Sequence, residues 1–128
     1  MSELIRKDIY TPAEVYESIK GVVFSPRRRR VKINFFGDDI TANSERYQVF
    51  FGKGMSCISC GIKGNFFAKE KTKKDVSYHL NLYALDENGD EVLMTKDHII
   101  PKSKGGKNCY ENYQCMCIRC NMKKGDMI

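Results

Sequence analysis

Long apolar runs are missing from this chain. No stretch of its 128 residues is apolar enough to cross a membrane. The N-terminus, Met1-Ser2-Glu3-Leu4-Ile5-Arg6-Lys7-Asp8, has no apolar core of the kind a secretory signal needs. Internal repeats and a low-complexity tail are absent too, and histidine is scarce, with only His79 and His98. These absences argue against a membrane or secreted protein and point to the cytoplasm, a reducing compartment. In that setting the six cysteines read as metal ligands before they read as disulfides.

What is present fits one small domain. The apolar fraction of 41% supports a globular fold without a large core. A net charge of +6 suggests a polyanionic partner but specifies no fold or chemistry. Thr11-Pro12-Ala13-Glu14 has the form of a capping box, so a helix is expected from there to Lys20, ending at Gly21. Val31 to Phe36 alternates as a strand does, and Ser44 opens a second short helix that Gly52 ends. Asn65 to Lys69 reads as a strand broken by the charged stretch from Lys69 to Asp75. Tyr78–Leu85 and Glu91–Ile99 read as a hairpin about Asn88-Gly89, which favours a type I′ turn. A short strand over Asn112–Met116 and a helix from Ile118 to at least Lys124 complete an α+β reading.

Two Cys-x-x-Cys pairs, Cys57 with Cys60 and Cys117 with Cys120, are the halves of a four-thiolate zinc site. Zinc favours tetrahedral sulfur, and a two-residue gap lets one turn present two thiolates to one ion. The alternatives are buried free thiols, or disulfides in an oxidising setting. Cys109 and Cys115 lack a partner at such spacing and read as ordinary buried or half-buried cysteines.

Between these halves lies Asp97-His98-Ile99-Ile100-Pro101-Lys102-Ser103-Lys104-Gly105-Gly106-Lys107-Asn108, followed by Asn112 and then Cys120-Asn121. A neutral imidazole suits a general base, which makes His98 the candidate. A hard cation such as Mg²⁺ needs oxygen ligands, and Asp97 and Asn121 offer a carboxylate and an amide oxygen. The stretch resembles the HNH endonuclease family, the ββα-metal or His-Me finger proteins, in the type that carries a zinc knuckle. The resemblance is tight over 97–126 and loose over 46–60. Its letters fall on His98, Asn112 and Asn121, with Asn in a third position where His also occurs.

The resemblance implies a metal-dependent nuclease acting on DNA phosphodiester bonds. His98 would be the base, Asp97 and Asn121 the catalytic metal ligands, and Asn112 the residue that orients the base by hydrogen bonding. Lys124, three residues past Asn121, would share its helix face and contact a phosphate. Small enzymes of this kind are frequent in phages and mobile elements. The domain reading is a nuclease domain over 46–128, with residues 1–45 an annex for DNA binding. One set of site residues makes one site per chain, and both monomer and homodimer stay open.

Arg27, Arg28, Arg29 and Arg30, with Lys102, Lys104 and Lys107, are the basic positions expected to meet DNA phosphates. A nuclear-import signal is the rival reading of the arginines, and the run Lys69–Lys74 reads as a solvated loop. A rival for the whole chain is a zinc-knuckle nucleic-acid-binding protein that does not cut. If the hairpin turn has two residues and no bulge, Leu85 faces Val92 and His79 faces His98. The alternative is a surface histidine on an edge strand.

Overall fold

The computed structural model describes residues 3–25 and 29–128. Among these the order is β1 (Ile5–Tyr10), α1 (Pro12–Val23), β2 (Lys32–Phe35), β3 (Asp38–Thr41), α2 (Glu45–Gly52), β4 (Gly64–Lys71), β5 (His79–Leu85), β6 (Glu91–His98), β7 (Tyr113–Cys117) and α3 (Ile118–Lys124). The fold is α+β, with a five-stranded antiparallel sheet in the order β1-β4-β5-β6-β7 and a separate β2–β3 hairpin. No helix among the described residues is long and apolar enough to cross a membrane.

The Thr11 capping box forms in full: Thr11 accepts from the Glu14 N–H, and the Glu14 carboxylate accepts from the Thr11 N–H. The helix does not stop at Gly21. It continues to Val23 because Val15, Ile19 and Val23 form one buried stripe, and burying the last of them outweighs a helical glycine. Against this stripe lie α2 and β4, and Tyr47, Phe50, Phe67, Leu80 and Leu82 continue the core.

Two strands escaped the sequence reading. β1 shows little apolar alternation, since five of its six residues are exposed, and it pairs with β4 through an irregularity between Arg6 and Asp8. β3 follows a tight turn at Phe36-Gly37, both at positive φ, and pairs with β2. The charged stretch after Phe67 is also not a break. Lys69 is fully buried, and its ammonium donates to the Phe35 carbonyl at 2.6 Å and to Asp38 at 2.9 Å. Glu70 is buried as well, holding Arg6 at 2.7 Å and the Tyr83 hydroxyl at 2.6 Å. Buried charges persist where partners satisfy them, so β4 runs on to Lys71. Only Lys73 and Lys74 of that run are exposed.

The β5–β6 turn is longer than the Asn88-Gly89 signal implies. Asp86 and Asp90 close it, the Asp86 N–H donating to the Asp90 carbonyl at 3.0 Å, so Glu87, Asn88 and Gly89 form the loop. The Asp86 carboxylate accepts from the N–H groups of Asn88 and Asp90, and Gly89 takes φ +80°. Leu85 therefore faces Glu91, one residue off the expected register. Pairing of β5 with β6 covers only Tyr83–Leu85 and Glu91–Leu93, after which β6 turns to pair with β7 as far as His98. The wedge this opens is filled by α2: Tyr47 and Arg46 take up the backbone of Leu80 that β6 leaves free.

Candidate active site and metal centre

β6, β7 and α3 make a finger of two strands and one helix at the C-terminal end of the sheet. Along β6, successive side chains face opposite sides. Thr95 and Asp97 lie under α3, and two bonds tie them to it. The Asn121 amide Nδ2 donates to Thr95 Oγ1 at 2.9 Å, and the Lys124 ammonium stands 3.2 Å from Asp97 Oδ2. Gln114 Nε2, from the facing position on β7, also donates to Asp97 Oδ2 at 2.9 Å. Each candidate ligand is thus gripped by one polar atom. Among the described residues Oδ1 of Asp97 and Oδ1 of Asn121 have no hydrogen-bond partner. Such outer support is what keeps oxygen donors aimed at a cation. A carboxylate and an amide oxygen are donor types that suit Mg²⁺.

Lys124 is turned inward rather than outward. Its ammonium donates to the His98 carbonyl at 2.8 Å as well as pairing with Asp97, and only 12% of its side chain is exposed. It bridges the two residues of the Asp-His pair from the helix.

His98 ends β6, on the face opposite Asp97. Its ring meets the edge of Tyr113 at 5.1 Å between centroids, and Lys96 covers the same tyrosine at 4.1 Å. Burial first, then the Glu45 carboxylate, pushes the Tyr113 phenol up to about 12, so it stays neutral beside the imidazole. His98 Nε2 lies 2.7 Å from Asn108 Oδ1. An amide oxygen only accepts, so Nε2 carries the proton and the lone pair of the neutral ring is at Nδ1. Asn108 and Gln114 were not singled out in the sequence. Each contacts its partner across the fold, and no periodicity marks such a contact.

Asn112 makes no hydrogen bond to His98. Its Oδ1 accepts from the Ile100 N–H at 2.9 Å, and its Nδ2 donates to the carbonyls of Ile100 at 3.0 Å and Lys107 at 2.9 Å. It also accepts at its own carbonyl from the Ile99 N–H at 2.8 Å. Its side chain instead clamps both ends of the loop that carries Asn108. Gly106 approaches the Ile100 carbonyl so closely that a Cβ would collide with it. The same loop holds Lys102, Lys104 and Lys107, all exposed. Arg29 and Arg30 are exposed too, whereas Arg27 and Arg28 lie outside the described residues.

The four cysteine sulfurs lie within 4.8 Å of one another and form a cluster that could hold a zinc ion. Cys60 Sγ and Cys117 Sγ are 3.9 Å apart, close to the ~3.8 Å edge of a tetrahedron with Zn–S near 2.3 Å. The N–H of Cys60 points at Cys57 Sγ and that of Cys120 at Cys117 Sγ, each at 3.5 Å, the polarity a thiolate favours. Burial acts to raise the Cys57 thiol, but the N–H groups of Cys60, Cys117 and Ser59 outweigh it and bring it down to about 6. Cys115 is buried beside the cluster without joining it, and burial pushes its thiol up to about 12. The cluster joins the turn at Gly61 to the start of α3, and the Ile58 N–H adds a bond to the Cys115 carbonyl at 2.9 Å.

His79 does not reach the finger. It pairs with Glu70 of β4, and the changed register and the splay of β5 from β6 remove it from His98.

Residues 86–128 match the family model described as HNH endonuclease, a span that covers β6, β7 and α3 and two of the four cysteines. No curated protein and no solved structure matches the chain.

Proposed function

We propose that this chain, with its HNH endonuclease segment at 86–128, is a divalent-metal-dependent nuclease that hydrolyses DNA phosphodiester bonds and nicks one strand per encounter. The observation that carries the reading is the pair of uncommitted oxygens on Asp97 of β6 and Asn121 of α3, each with its other polar atom held by the protein, with His98 directly following Asp97 at the end of β6. Mg²⁺ bound there would neutralise the phosphoryl oxygens and stabilise the leaving 3′ oxygen. His98 takes a proton from the attacking water, and the Asn108 hydrogen bond holds the ring in one tautomer while it does so. Lys124 and Gln114 hold the Asp97 carboxylate aimed. Zinc at Cys57, Cys60, Cys117 and Cys120 is structural, since all four positions are filled by protein sulfur.

A plasmid assay with Mg²⁺ tests this. Supercoiled plasmid converts to open circle first, linear DNA follows, and the ends carry 5′-phosphate and 3′-hydroxyl. Linear product without an open-circle stage at low enzyme would point to an obligate dimer. Binding without any cleavage would leave a nucleic-acid-binding protein in place of an enzyme.

The metal ligands separate from the base. Asp97→Ala and Asn121→Ala each remove an oxygen donor, so the Mg²⁺ midpoint for cleavage moves to higher concentration. Thr95→Val, which removes the support of Asn121 together with a hydrogen bond to the Met116 carbonyl, moves it less. A midpoint unchanged in Asp97→Ala would take Asp97 out of the coordination shell.

A further inference from the structure

A polar cavity of about 690 Å³ lies beside the N-terminal end of α2, lined also by the end of β3 and the start of β5. That volume lies within the range of ligand sites. Its lining carries two guanidiniums, Arg30 and Arg46, and the imidazole of His79, from three separate segments. Arg30 is held by a fork. The Asn43 side chain accepts from the Val31 N–H at 2.8 Å and donates to the Arg29 carbonyl, which fixes the backbone on both sides of Arg30. Arg46 gives one nitrogen to Asn81 Oδ1 at 3.0 Å and another to the Leu80 carbonyl at 3.2 Å. A guanidinium has five N–H donors in a fixed plane, so several are left for a ligand. Ser44, at the helix cap, makes no capping bond with its side chain and also lines the cavity.

The nearby acidic groups leave this positive character in place. Glu45 lines the cavity but pairs with Lys96 at 3.3 Å. The His79 imidazole is held below its usual range by burial first and then by Arg46, with Lys32 and Arg30 adding to this and Asp75 opposing. The ring is therefore a neutral hydrogen-bonding group among cations, in a field that suits an anion.

A chain of side-chain contacts links the cavity wall to the finger. Glu45 on its wall reaches Lys96, Lys96 covers Tyr113, and Tyr113 meets His98. Tyr110, which lines the cavity, stands two residues before Asn112.

We propose that this cavity is a second contact site for the polynucleotide, taking a backbone phosphate between Arg30, Arg46 and His79 while the bond to be cut lies at His98. The site rests on the nuclease reading for its ligand but not for its measurement. Duplex oligonucleotide binding is followed by fluorescence anisotropy without Mg²⁺, over a series of NaCl concentrations, for wild type, Arg30→Ala, Arg46→Lys and His79→Ala. Circular dichroism melting accompanies each, and the exposed Arg30 and His79 keep the test open if Arg46→Lys unfolds.

Arg30→Ala is expected to weaken binding for all sequences alike and to make the dependence of log affinity on log salt shallower by about 1. His79→Ala, losing a neutral donor, weakens binding with the slope unchanged. Wild-type affinity and slope in both variants overturn the proposal. A parallel titration with a free nucleoside monophosphate separates the two sources of phosphate. If the monophosphate binds as tightly as the oligonucleotide and Arg30→Ala abolishes that binding, the cavity is a nucleotide site and the proposal fails. Nicking by wild type is assayed in the same preparation. If nicking is absent but the binding differences stand, the nuclease reading falls and this contact site remains.

Discussion

His98→Ala is expected to abolish cleavage at saturating Mg²⁺ while leaving the fold in place. A positioned general base contributes roughly 10²- to 10⁴-fold to a rate, and no other imidazole stands in the finger to replace it. The ring is half-buried at the end of β6 and makes one edge contact with Tyr113 and one hydrogen bond with Asn108. Its removal opens no core cavity, so the melting temperature should move by only a few degrees, in contrast to the loss of rate. Asn108→Asp supplies a second readout. A carboxylate in place of the amide stabilises the imidazolium, which raises the pKa of His98. The base must be neutral to act, so the rising limb of the rate profile moves to higher pH. A profile unchanged in Asn108→Asp would show that the hydrogen bond to Asn108 does not act on the base during turnover, and substantial cutting by His98→Ala would remove His98 from the chemistry.

How far the fold and site could be read from the sequence depended on whether the relevant physics was local. The Thr11 capping box, the start of α3 and the two Cys-x-x-Cys turns are each set by residues within one turn of one another, and all four are in the structure. β1 was not legible, because its partner is β4, some sixty residues away, and its own side chains are mostly exposed. The burial of Lys69 and Glu70 was not legible for the same reason. Their charges are satisfied by Asp38, Arg6 and Tyr83, and a charged run looks solvated until those partners are placed. The hairpin register failed on one side chain. The Asp86 carboxylate accepts two backbone N–H groups and lengthens the loop by a residue, and a shift of one residue moves every pairing that follows. In the finger, sequence spacing singled out Asp97, His98, Asn112 and Asn121 but not the atoms that hold them. Asn108, Gln114 and Thr95 act through contacts that only the folded pairing of β6, β7 and α3 creates. Asn112 differs from expectation in the same way: its amide grips the loop backbone and leaves His98 untouched.

Removing zinc should unfold the finger and silence it together. α3 has seven residues, too few for a helix to persist alone, and it carries both Asn121 and Lys124. What fixes its start is the cysteine cluster, which joins Cys117 and Cys120 to a turn that precedes β4 in the chain. Metal binding to such a site is folding free energy, and the apparent value for structural zinc in small domains is about 10–16 kcal/mol near neutral pH. Cys57→Ser leaves three thiolates and should lower zinc content, lower the melting temperature sharply, and raise the Mg²⁺ requirement because α3 no longer holds Asn121 against Thr95 of β6. Cys115→Ser and Cys109→Ser are the controls. Neither joins the cluster, so zinc content should stay at that of the wild type. Stripping the metal with a strong chelator should give an inactive protein that Mg²⁺ alone does not restore and that zinc followed by Mg²⁺ does. A purified protein that is folded, fully reduced at these four cysteines and free of zinc would overturn the structural role. Activity restored by Mg²⁺ alone would separate the knuckle from the active site.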